Sequence, residues 1–86
     1  MSPRPIFVWA LAINGHSTLR DDPRGDGVEC LIRPAAIDML VYDRDDDTVT
    51  ITLRNRTTVE VHGHRREVYD ELAAALDTSI CKEIRP

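Results

Sequence analysis

The chain offers few side chains whose type and spacing invite chemistry, and each group has to be tested against a plainer structural reading. His62-Gly63-His64 sets two imidazoles two positions apart, an arrangement that shares a metal when a turn brings the rings together. Neighbouring positions supply no further ligand. His16, Cys30 and Cys81 stand at spacings that match no zinc signature. The segment reads better as the turn between a strand and a helix, and no metal site is expected.

Asp43, Asp45 and Asp47 reproduce the opening of a calcium-binding loop, where alternating carboxylates wrap a hard cation. The rest of that loop fails. Its sixth position is Thr48 where glycine makes the bend, and its twelfth is Arg54 where a bidentate glutamate is required. A solvated acidic turn is the better reading. For nucleophilic catalysis, Cys30 or Cys81 would need His62 or His64 as a base, and nothing local pairs them. The sequence has no nucleophile elbow, no phosphate-cradling glycine loop and no dinucleotide fingerprint. Arg24-Gly25-Asp26 spells an adhesion tripeptide, but three residues recur by chance. No enzyme activity and no cofactor are expected.

Charge is more informative by position than by total. The net charge is −4, yet residues 21–47 alone carry nine acids against three arginines, while residues 48–86 balance. Asp21, Asp22, Asp43, Asp45, Asp46 and Asp47 are therefore the candidate partner-binding residues, to be gathered at one end of a sheet if their loops are neighbours. Ten of the eleven basic residues are arginines dispersed among acids. A direct nucleic-acid binder needs a basic stripe to neutralise phosphates, so none is expected.

These residues must be held by a scaffold that 86 residues can build, and the whole chain, 1–86, is read as one small α+β domain. Hydrophobic residues at 42% and charged residues at 30% suit a folded chain rather than a disordered one. With one Trp, one Phe and two Tyr, the core must be mostly aliphatic and its stability margin slim, which gives dimerisation or a partner an energetic reason. The Cys30 and Cys81 pair, 51 positions apart, forms no disulfide framework.

Ile6 to Ile13 is apolar on both alternating faces and reads as a central strand. At eight residues it is far short of the about 20 that a membrane helix requires. Asn14-Gly15 predicts a hairpin turn with a short return strand over residues 16–20. Residues 21–27 form a loop, and Val28 to Arg33 a strand limited by Pro34. Residues 35–42 fit strand or helix, with a strand from Ile37 favoured. Thr48 to Leu53 and the Thr58–His62 segment predict the clearest hairpin. Arg65 to Leu76 carries a helical stripe of Val68, Leu72 and Leu76. Residues 79–86 form a short edge strand or a frayed tail.

The expected architecture is thus a small antiparallel sheet of about four to five strands with one C-terminal amphipathic helix on one face. The expected function is a non-catalytic protein–protein interaction module, an adaptor or inhibitor that occupies a surface of a larger protein or complex. It is read as a cytoplasmic homodimer that uses no membrane. Two alternatives remain: an acidic nucleic-acid mimic that blocks a nucleic-acid-handling complex, as phage anti-defence inhibitors do, and a small metal-binding protein.

Overall fold

In a computed structural model, which describes residues 4–18 and 27–84, β1 (Ile6–Ile13) is the strand around which the sheet is organised. Asn14 and Gly15 both take positive φ, 51° and 80°, and turn the chain into β2 (His16–Ser17). The chain then continues with β3 (Val28–Ile32), a 3₁₀ turn at Pro34–Ala36, β4 (Ile37–Asp43), β5 (Thr48–Leu53) and β6 (Thr58–Val61). Helix α1 (Arg65–Ala74), a second 3₁₀ turn at Thr78–Ile80 and β7 (Cys81–Ile84) complete it. The sheet runs β2-β1-β6-β5-β4-β7, with β3 on the same side of β1 as β2.

The α+β class holds, but among the described residues the sheet has seven strands, not four or five, and it is mixed. Among the described residues, the pairings are antiparallel except β4 with β7, which is parallel. The single α-helix lies between β6 and β7 in the chain, and a crossover of this kind is what a parallel pairing requires. Of the two readings of residues 35–42, the strand from Ile37 is the one formed; helical structure is confined to the 3₁₀ turn at Pro34–Ala36, and Met39 and Leu40 lie in the strand. The end of the chain is an edge strand as far as Ile84.

A flat sheet cannot make these pairings. Ile32 pairs with Ile6 at the start of β1, whereas Ile37 pairs with Leu53, beyond the end of β1 and on the far side of the sheet. Counting strand spacings and rises, a flat sheet would separate the two residues by about 30 Å. Five extended residues reach only about 18 Å. The sheet must therefore curl, bringing the end of β3 round to the start of β4. A register shift between Ala10 and Ala12 supplies local bending in β1. Gly27, at φ 86°, lets the chain pass against the Ala10 carbonyl, where an added Cβ would sit 2.2 Å from the oxygen. Thr18 Oγ1 donates to the same carbonyl.

Curling gives the sheet an inner and an outer face. The inner face collects Ile6, Val8, Ala10, Ile32, Ile37, Leu40, Tyr42, Val49, Ile51, Val59 and Val61, all buried. Helix α1 lies over β4 and β5 and adds Tyr69 and Leu72, with Val68 partly buried; the helix ends at Ala74, short of Leu76, which packs partly buried against the core from beyond it. Tyr69 meets Tyr42 edge to face, ring centres 5.4 Å apart. The Arg66 guanidinium caps the Tyr42 ring, while its NH1 donates to Glu83 of β7 at 2.6 Å and its Nε pairs with Asp70 at 3.3 Å.

Leu72 is fully buried, so Leu72→Ala should lower the unfolding free energy by about 2–5 kcal/mol in urea titration. Asp38→Asn, at an exposed position outside the core, should change it by less than about 0.5 kcal/mol.

Candidate functional site

Asp43, Asp45, Asp46 and Asp47 lie together at the β4–β5 turn, and two of them are engaged in building it. Asp43 Oδ1 accepts from the backbone N–H groups of Asp45, at 3.0 Å, and Asp46, at 3.4 Å. Asp47 adopts φ 51°, accepts from the Tyr42 hydroxyl at 3.1 Å, and pairs with Arg65 NH1 at 3.5 Å. Burial, helped by this hydrogen bond, pushes the Tyr42 phenol above its ordinary value. Asp45 and Asp46 remain exposed, with Arg44 beside them. Asp21 and Asp22, together with the Arg24-Gly25-Asp26 tripeptide, lie outside the described residues.

Histidine placement follows from the end of β6. The His62 backbone N–H donates to the Trp9 carbonyl at 2.8 Å, Gly63 and His64 both take positive φ, and His64 becomes the N-cap of α1, its carbonyl accepting from Val68. Trp9, His62, Gly63 and His64 line an open cleft of about 320 Å³. The buried His62 Nδ1 has no hydrogen-bond partner among the described residues. Among those residues no three His, Cys, Asp or Glu side chains gather as a metal site would require.

Cys30 sits on β3 and Cys81 on β7, at opposite sides of the sheet, and both are free thiols. Desolvation raises both thiols above the ordinary value, with the Asp77 charge adding to the effect at Cys81. Neither is poised as a thiolate nucleophile.

What the sequence reading missed is the outer face of β1 and β3. A strand apolar on both faces predicts cover on both, but the described residues cover only the inner one. Phe7 is 47% exposed and Leu31 68% on that outer face, while Val28, 45% exposed, pairs with Ala10 and shares its opposite face. Phe7 pairs with Leu31 across the strands, and its ring meets Trp9 edge to face at 5.6 Å. Pairing parity places Phe7, Trp9, Leu31 and Glu29 on this outer face. The hint in the sequence is the alternation that places Phe7, Trp9, Leu11 and Ile13 on one face of β1, although the register shift between Ala10 and Ala12 turns Ile13 to pair with Val59 and pack against the core. Met39 and Ile84 are also exposed, on β4 and β7. No described helix is long and apolar enough to cross a membrane.

Comparison with protein-family models, curated proteins and solved structures finds no match.

The raised thiol values carry a definite sign. Their stability contribution is present below the ordinary thiol pKa and is lost as pH rises through the raised folded-state values. Alkylation of Cys30 and Cys81 by iodoacetamide at pH 8 should be slower than that of free cysteine, and should speed up to the free rate in denaturing urea. A native rate faster than free cysteine would restore a nucleophilic role.

Proposed function

We propose that this protein is a non-catalytic interaction module, an adaptor or inhibitor, that occupies a surface of a larger protein through the outer face of β1 and β3. The observation that carries the reading is the contiguous group of exposed Phe7 and Leu31 with half-buried Trp9. Apolar clusters rimmed by polar groups mark interaction surfaces, and Trp is enriched among the residues that anchor them. Glu29, Arg33 and His62 supply such a rim. A rigid sheet face also orders little on binding, which limits the entropy lost.

The acidic-mimic reading draws on the β4–β5 turn, and it is weaker on specific grounds. Asp43 is engaged with backbone N–H groups and Asp47 with Tyr42 and Arg65, so the turn offers chiefly Asp45 and Asp46 to a basic partner. Screened surface charge of that size contributes little affinity at physiological salt.

Affinity capture from nuclease-treated lysate of the native host, washed at low and high salt, separates the two. Under the leading reading a protein partner survives high salt, is retained by Asp45→Asn with Asp46→Asn, and binds at least about tenfold more weakly to Phe7→Ser. A partner that leaves at high salt and is lost with the Asp changes, but not with Phe7→Ser, would transfer the function to the acidic turn. No partner in either wash would defeat both.

A further inference from the structure

Resting on the reading of the outer face as a binding surface, we propose that a second copy of this chain pairs antiparallel with the free edge of β3, about a two-fold axis through Leu31. The dimer extends the sheet across that edge and joins the two apolar outer patches into one surface.

The backbone of β3 sets the geometry. The Trp9 carbonyl accepts from His62 N–H, so Trp9 directs its backbone polar groups toward β6. Alternation along β1 then directs those of Val8 and Ala10 toward β3, which agrees with the Ala10 carbonyl facing Gly27 and Thr18. Val8 pairs with Cys30 and Ala10 with Val28, so the even-numbered residues of β3 bond to β1. Glu29 and Leu31 consequently point their N–H and C=O groups away from β1, and so does Arg33, whose φ of −84° and ψ of 126° continue the extended chain. Among the described residues, β3 pairs only with β1.

Self-complementarity selects a second copy as the occupant. Antiparallel pairing centred on Leu31 sets Leu31 opposite Leu31 of the second copy, and Glu29 opposite its Arg33 on both sides of the axis. All these positions share the outer face, so apolar meets apolar and acid meets base. On the inner face the same register sets Cys30 opposite Ile32 of the second copy, again apolar on apolar. The residues opposed in this way are the ones whose backbone groups point outward, giving paired N–H···O bonds at Leu31 and at each Glu29–Arg33 position. The Arg33 carbonyl already accepts from Ala36 N–H and keeps a second lone pair for this bond. Pro34 ends the ladder by turning the chain inward, where it is buried. The opposite edge, β7, carries Lys82, the residue type that blunts edge pairing.

Sedimentation equilibrium of the purified full chain over a wide concentration range tests the assembly, and charge exchange tests the register. Glu29→Arg alone and Arg33→Glu alone should each raise the dimer Kd by about tenfold, and the two together should return it to within about threefold of the starting value. In a Cys30→Ala, Cys81→Ala background, Leu31→Cys should crosslink to itself on oxidation. Glu29→Cys should crosslink only when Arg33→Cys is also present. A monomer at every concentration, or a dimer indifferent to charge exchange, would overturn the proposal. A monomer that still captures a host protein through Phe7 defeats the dimer and leaves the interaction module standing. A dimer of the stated register with no host partner does the reverse.

Discussion

The rest of the structure depends on how little chain joins Ile32 to Ile37. Those residues belong to strands at different places in the sheet, paired to opposite ends of its length, and the link between them includes a 3₁₀ turn that shortens its reach further. Curling the sheet is the geometric solution, and every other feature accommodates it. β1 must carry β6 on one side and both β2 and β3 on the other, and it bends where its register shifts at Ala10 and Ala12. Gly27 occupies a close approach where a side chain would collide with the Ala10 carbonyl. Pro34, fixed in φ and lacking an N–H, suits a position where the ladder must stop and the chain must turn inward.

Once curled, the inner face is concave and one short helix suffices to close it. Leu72 and Tyr69 enter the core from α1, and β7 locks the arrangement by pairing with β4 and presenting Glu83 to both Arg66 and Arg44. These ion pairs are partly exposed, so screening and side-chain entropy limit what each contributes. Their value is orientation: Arg66 can reach Glu83 and Asp70 while stacked on Tyr42 only if helix, sheet and final strand are in register. Aliphatic burial supplies the driving force.

How much was legible in the sequence follows from which signals are local. The β5–β6 hairpin, the β1 strand, the Asn14-Gly15 turn and the helix rest on alternation, turn chemistry and helical spacing, and all appear. The parallel β4–β7 pairing and the position of β3 depend on contacts between segments far apart in the chain, and no local pattern encodes them. Tyr69 falls outside the aliphatic stripe that helical spacing picks out, whereas the core recruits its ring to face Tyr42. The aspartates were grouped by adjacency, which does not reveal that Asp43 and Asp47 find partners inside the fold. For β1 the pattern was right and the inference from it too strong. An apolar outer face records what that face avoids, namely prolonged exposure to water, without recording what covers it.

That last distinction bears on why the outer face of β1 and β3 is apolar at all. Among the described residues a single α-helix is available, and it lies over β4 and β5 on the inner side. Nothing described shields Phe7 or Leu31 on the outer side, although a strand at the edge of a soluble sheet is commonly made polar there. Thr50, Thr52, Thr58 and Glu60, on the outer face of β5 and β6, follow that polar pattern, so the chain distinguishes one part of the face from another. Exposed leucine and phenylalanine beside an edge that retains outward-pointing backbone groups favour association over solvation. In the proposed dimer, the net charge of −4 gives two copies a mutual repulsion that apolar contact and strand pairing must outweigh.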